Sequence, residues 1–138
     1  MSFSGKRYRR VRSENIEELV NASDTNENLI RMLQSNAPIF CFTRIDENTF
    51  NFTLEMQNRT VTHDFKLGEP HEMERRDGSK VKITYTLEGE NVLKQVIIPK
   101  DGGRVAYFRR EFGENEVKMI IKMEGTDVEA VVYYEEVK

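Results

Sequence analysis

The 138-residue chain has no Trp, one Cys, three Pro and no long apolar run. Its single cysteine, Cys41, cannot form an internal disulfide bond, which argues against a secreted domain stapled by disulfides. Without a run of about 18 apolar residues, the sequence predicts no transmembrane helix and no stable membrane insertion. The first residues also lack the apolar segment of a signal peptide, so we expect a cytoplasmic protein.

A strong excess of one charge is missing too. The 21 basic and 24 acidic residues give a formal net charge of −3. Nucleic-acid-binding proteins typically show a basic excess, so we expect no nucleic-acid partner. Five basic residues do crowd positions 6–12, and we interpret them as a solvent-exposed charged face rather than a phosphate-binding arm. The length predicts one domain, residues 1–138.

Signatures of catalysis and metal binding are absent from the sequence. His63, His71 and Cys41 show none of the spacings that are typical of zinc sites. No nucleophile motif and no phosphate-binding glycine loop occurs. We therefore expect that the protein is not an enzyme and binds neither a metal nor a cofactor.

Two short helical patterns occupy the N-terminal third of the chain. Ser13 is the predicted cap of the first, which has Ile16 and Val20 on its apolar side. The second lies between residues 24 and 38, with Leu33 on its apolar side. Helices of about nine residues do not persist alone in water, so both are expected to pack on a larger element.

From Ile39 onward, apolar and polar residues alternate, which predicts β-strands separated by turn sequences. With the run around Tyr8 they number about ten, and their short connections predict antiparallel pairing. Such a meander avoids long bare edges by closing into a barrel or by splitting into two packed sheets. In a barrel, the helical hairpin would cover an open end.

One arginine interrupts the apolar alternation. Arg110 shares a strand face with Phe108 and Phe112, and Tyr134 shares a face with Val132 in the last run. A buried guanidinium requires an anionic partner because it cannot neutralise itself. That partner is either a glutamate of the chain or a carboxylate ligand.

Several motifs spread over nearly the whole chain carry a family resemblance by their order and spacing. They are Phe3-Ser4-Gly5-Lys6, Ser13-Glu14-Asn15-Ile16, Phe65-Lys66-Leu67-Gly68, Asp77-Gly78-Ser79-Lys80-Val81-Lys82, Leu87-Glu88-Gly89, Arg109-Arg110-Glu111-Phe112 and Tyr133-Tyr134-Glu135-Glu136-Val137. With them the sequence resembles the intracellular lipid-binding proteins, which comprise fatty-acid-binding and cellular retinoid-binding proteins, and looks most like the invertebrate fatty-acid-binding proteins. The resemblance implies an all-β fold, a ten-stranded antiparallel β-barrel (β-clam) capped by a helix-turn-helix lid.

The resemblance also implies a monomeric cytosolic carrier that holds one long-chain fatty acid in the barrel cavity. In the family, two arginines and a tyrosine hold the ligand carboxylate. Arg110 and Tyr134 match the first arginine and the tyrosine, whereas Val132 stands in place of the second arginine. The residues that we expect to contact the ligand are Arg110, Tyr134, Val132, Phe108, Ile16, Val20, Leu33, Phe52, Leu54, Tyr85, Met119 and Ile121.

Two alternative functions fit the same residues. A retinoid or another bulky hydrophobic ligand would occupy the same cavity, and the altered arginine pair gives this alternative some support. A barrel that acts mainly in protein interaction would use the basic N-terminal strand as its surface. In either case the apolar content of 38% fits a hollow barrel better than disorder, because the alternating pattern is sustained.

Overall fold

The computed structural model describes residues 3–23, 39–55, 60–74, 78, 80–100, 102 and 104–137. These residues form ten β-strands and one short helix. The elements are β1 (Arg7–Glu14), α1 (Ile16–Ser23), β2 (Ile39–Arg44), β3 (Thr49–Glu55), β4 (Thr60–Lys66), β5 (His71–Glu74), β6 (Lys80–Glu88), β7 (Val92–Pro99), β8 (Ala106–Phe112), β9 (Glu116–Met123) and β10 (Glu129–Glu136). Within this part of the chain, no helix has the length and apolarity needed to cross a membrane.

The ten strands form one antiparallel sheet in the order β4-β3-β2-β1-β10-β9-β8-β7-β6-β5. Because β1 pairs with both β2 and β10, the sheet curves into a nearly closed barrel, as the family resemblance implied. The predicted meander is interrupted once, since β4 and β5 lie at opposite ends of the strand order. We call this unpaired boundary the β4–β5 seam. The turn between β4 and β5 is hydrogen-bonded to β6, because the Gly68 N–H donates to the Tyr85 carbonyl at 2.7 Å.

The helix α1 begins directly after β1. Ser13, the predicted cap, lies within β1 opposite Val132, so that prediction is wrong. Asn15 takes the cap position, because its carbonyl accepts the first helical hydrogen bond from the Leu19 N–H at 3.0 Å. The φ of Asn15 is 59°, a left-handed value that asparagine tolerates better than most residues. The predicted second helix, including Leu33, lies outside the described residues.

Buried side chains line the barrel in two clusters. The first, the aromatic cluster, surrounds one end of the barrel, where Phe3 stacks on Phe112 with the ring centroids 4.0 Å apart. The second, the aliphatic cluster, lies at the other end, where Leu19 of α1 packs onto it. The aromatic cluster comprises Phe3, Tyr8, Phe40, Phe42, Phe50, Phe65, Val81, Ile83, Tyr85, Leu93, Phe112 and Val117, and the aliphatic cluster comprises Leu19, Ala106, Phe108, Met119, Ile121, Met123, Ala130 and Val132.

Candidate functional site

Arg110 lies on the inner face of β8 where the two clusters meet. Its neighbours on that face are Phe108 of the aliphatic cluster and Phe112 of the aromatic cluster, as the alternation predicted. The guanidinium carbon lies 5.3 Å from the ring centroid of Phe42 and 5.8 Å from that of Phe108. Cation–π attraction to these rings offsets part of the loss of hydration that a buried cation suffers.

A buried amide orients this guanidinium. Nη1 of Arg110 donates a hydrogen bond of 2.7 Å to Oε1 of Gln95, which lies on β7 and is only 7% exposed. Nε of Arg110 is also buried, and it has no hydrogen-bond partner in the described part of the chain. Because an amide carries no net charge, Gln95 fixes the direction of the guanidinium but leaves its positive charge uncompensated.

Among the described residues, no carboxylate lies within 4.0 Å of the Arg110 guanidinium. The next residue, Arg109, faces outward and forms ion pairs with Glu88 and Glu111. Burial lowers the pKa of Arg110, although the nearby phenols of Tyr85 and Tyr134 act in the opposite direction. None of these residues is therefore a glutamate partner of Arg110. Arg110 is a half-buried residue whose Nε is fully buried, and its positive charge faces the interior.

Tyr134 of β10 is the second polar group at this position. Its ring meets that of Phe40 edge-on, with centroids 4.7 Å apart and an interplanar angle of 84°. Burial raises the pKa of the Tyr134 phenol, and the positive charges of Arg110 and Arg10 counteract part of that rise. The phenol therefore remains protonated at neutral pH and can donate a hydrogen bond to an anion.

Four of the predicted contact residues belong to a wall that is already fully packed. Phe108, Met119, Ile121 and Val132 are at most 3% exposed and lie in the aliphatic cluster. Ile16 of α1 is half-buried and packs against the same cluster. We call the part of the inner face of β8, β9 and β10 that belongs to the aliphatic cluster the packed wall.

The opposite side of the barrel keeps accessible surface on its inner face. Phe52 and Leu54 of β3 are half-buried and pack against the aromatic cluster, whose Tyr85 is only 2% exposed. The inward residues of β4 and β5 above the aromatic cluster are half-buried as well. We call the inner face of β3, β4 and β5 the open wall. The predicted contacts Leu33 and the side chain of Val20 lie outside the described residues.

The sequence-based interpretation missed two residues near Arg110. Gln95 could have been found, because it is a polar residue in phase with the apolar Leu93 and Ile97. Arg10 was assigned to the exposed basic face; Arg12 is exposed as predicted, but Arg10 is half-buried and pairs with Tyr134. Lys6 is half-buried as well, so the basic run forms an exposed face only at Arg7, Arg9 and Arg12.

Comparison with known proteins agrees with the fold. The liver fatty acid-binding protein of Sus scrofa is 37% identical over 95 residues, covering 67% of this chain and 72% of that protein. Cellular retinoic acid-binding protein 1 of Gallus gallus is 33% identical over 109 residues, covering 76% and 78%. The solved structure of the fatty-acid-binding protein of Manduca sexta matches with a TM-score of 0.80 and 26% identity, covering 97% of this chain and 99% of that one.

No protein-family model matches the sequence. The pig and chicken relatives, which are both above 30% identity, nevertheless align over more than two thirds of their own length, and their similarity agrees with the ten-stranded barrel. The chain therefore belongs to the intracellular lipid-binding protein family, which contains the fatty-acid-binding and cellular retinoic acid-binding proteins.

Proposed function

We propose that this protein binds one long-chain fatty acid inside the barrel, with the carboxylate at Arg110 and Tyr134. The observation that carries the proposal is the inward-facing guanidinium of Arg110, whose buried Nε has no hydrogen-bond partner and which has no carboxylate neighbour among the described residues. A fatty acid supplies that carboxylate together with an apolar chain suited to the barrel interior. Relatives named as fatty acid-binding proteins support the same ligand class.

Tail burial supplies most of the binding free energy. At about 0.8 kcal/mol for each buried methylene, a tail of about fifteen methylenes gains roughly 12 kcal/mol before the losses of association are subtracted. A hydrogen bond to a charged head group contributes only about 1.5–3 kcal/mol. Arg110 is therefore expected to select among head groups, whereas the barrel wall determines whether a lipid binds.

The two walls give the ligand a direction. Arg110 lies next to Phe112, near the end of the barrel that Phe3 closes, so the head group is deep. The packed wall offers the tail little free surface, whereas Phe52 and Leu54 on the open wall do. We infer that the tail runs from Arg110 along the open wall.

The proposed role is that of a cytosolic carrier and not of an enzyme. The groups that converge on Arg110 are an amide and two phenols, which bind an anion but do not form a nucleophile–base pair. Release of an unchanged ligand requires only reversible binding.

The proposal is tested by removing the guanidinium while keeping an apolar stem. In Arg110→Met, we expect oleate affinity to fall by about tenfold to a hundredfold and methyl oleate affinity to stay within twofold, because only the acid loses a charge-assisted bond. Arg109→Met is the matched control, since Arg109 is on the same strand but faces outward. Equal losses for acid and ester in Arg110→Met, measured on variants with unchanged circular dichroism, would contradict a carboxylate contact.

Retinoic acid is a second candidate ligand, because one relative at 33% identity is a cellular retinoic acid-binding protein. Parallel titrations with oleate, retinoic acid and retinol separate the candidates. A carboxylate contact at Arg110 predicts that retinoic acid binds more tightly than retinol. Binding of none of the three by the folded protein would instead support a protein-interaction role.

A further inference from the structure

Arg10 of β1 faces the barrel interior. It pairs with Tyr134 in the antiparallel register of β1 and β10, and directly opposed residues project from the same face of a sheet. Tyr8, two residues earlier on the same face, is completely buried. Arg10 itself is half-buried, whereas the three other arginines of β1 are exposed.

A β-bulge maintains this orientation. The register between β1 and β10 shifts between Arg10 and Arg12, and the extra residue, Val11, is 54% exposed. Beyond the bulge, Arg12 pairs with Tyr133 on the outer face, where its guanidinium carbon lies 3.7 Å from the ring centroid. Without the bulge, the alternation of a regular strand would place Arg12 on the inner face together with Arg10. Because of the bulge, Arg12 faces outward and Arg10 remains on the inner face.

Two guanidinium groups therefore act on the same phenol. Arg110 from β8 and Arg10 from β1 each oppose the burial-driven rise in the pKa of Tyr134. An anion bound next to the Tyr134 phenol is attracted by both positive charges and can accept charge-assisted hydrogen bonds from them.

We propose that Arg10 is a second cationic contact for the head group of the ligand, so that Arg10, Tyr134 and Arg110 surround it from three strands. This inference rests on the proposed function and narrows it to hydrophobic acids, with the corresponding alcohols and neutral esters binding more weakly. Val132 cannot serve in this way, because it is an apolar, fully buried residue on the same face of β10 as Tyr134. Arg10 thus supplies from the neighbouring strand the charge that β10 does not carry.

The test compares two adjacent arginines of one strand. In Arg10→Leu, we expect oleate to bind about tenfold more weakly and methyl oleate to bind within twofold of the unsubstituted protein. In Arg9→Leu, which alters an exposed residue on the outer face, both affinities should stay within twofold. Arg10→Lys, which keeps the charge, should retain more of the oleate affinity than Arg10→Leu does.

A spectroscopic readout separates a head-group contact from a structural role. In oleate labelled with ¹³C at the carboxyl carbon, the bound carboxyl group should titrate at a higher pH in Arg10→Leu, because one stabilising cation has been removed. Arg10→Leu that leaves both the oleate affinity and this titration unchanged, or that weakens acid and ester equally, would overturn the inference.

Two other measurements, on the unsubstituted protein and on Arg110→Met, test the proposed function itself. Failure of the unsubstituted protein to bind oleate, or an Arg110→Met variant that treats acid and ester alike, refutes the proposed function itself. Clear discrimination by Arg110→Met together with none by Arg10→Leu refutes only the role of Arg10.

Discussion

The packed wall and the open wall differ in what covers them. The inward residues of β9 and β10 that belong to the aliphatic cluster are buried, and Ile16 and Leu19 of α1 pack onto them. Inward residues of β3, β4 and β5 are buried where they join the aromatic cluster but remain half-buried beyond it, next to the β4–β5 seam. The same alternating pattern therefore produces a closed surface on one side and an accessible one on the other. Sequence periodicity shows that a residue faces inward, but the covering element decides whether it has surface left for a ligand.

The largest expected effect comes from one substitution made on each wall. Phe108→Ala, on the packed wall, should lower the free energy of unfolding by about 3–5 kcal/mol, because it leaves a cavity in a buried cluster. Phe52→Ala, on the open wall, should lower it by about 1–2 kcal/mol, since a half-buried ring removes less apolar area from water. Denaturant unfolding without ligand measures both. Equal losses would show that the two walls are packed alike.

A smaller effect is expected on ligand affinity, and here the substitution on the open wall should have the larger effect. Leu54→Ala, on the open wall, should weaken oleate and methyl oleate equally, by about fivefold, because it removes contact with the tail and not with the head group. Val132→Ala, on the packed wall, should leave both affinities within twofold. Isothermal titration calorimetry measures these affinities. A larger loss in Val132→Ala would place the tail along the packed wall.

The smallest expected effect is a pH dependence at the β4–β5 seam. His63 and His71 lie on opposite sides of it with ring centroids 5.7 Å apart, and their ring nitrogens are buried without a hydrogen-bond partner in the described structure. Burial lowers the pKa of both, their mutual repulsion lowers that of His63 further, and Asp64 acts against this. As the pH falls below about 6.5, these two histidines bind protons more readily in the unfolded chain than in the folded protein. The free energy of unfolding should therefore decrease as the pH falls.

Double substitution tests this pH dependence. His63→Gln/His71→Gln should show a shallower decrease in the free energy of unfolding between pH 7 and pH 5.5 than the unsubstituted protein does. Identical slopes would mean that other groups cause the decrease. The packed wall carries no histidine, so we expect this histidine-dependent change in stability to arise at the open wall.

Much of the fold was predictable because its determinants are local. Alternation in Val81–Leu87 and Val117–Met123 gave the inner faces, and the same alternation placed Arg110 between aromatic rings. The β4–β5 seam was not predictable, because a short turn ordinarily joins paired strands and the barrel's closure depends on β1 and β10 instead. Arg10 was missed because the bulge after it changes which residues of β1 face inward, and no residue type marks the position of the bulge.

The bulge at Val11 also affects how relatives of this protein should be aligned. Residue counts from Tyr8 correctly place Arg10 but predict the wrong direction for Arg12, since the phase of β1 changes between them. An alignment that inserts its gap elsewhere in this strand would exchange an arginine of the interior for one of the surface. In this family member, the position of one inserted residue thus decides which arginine a comparison of binding sites should consider.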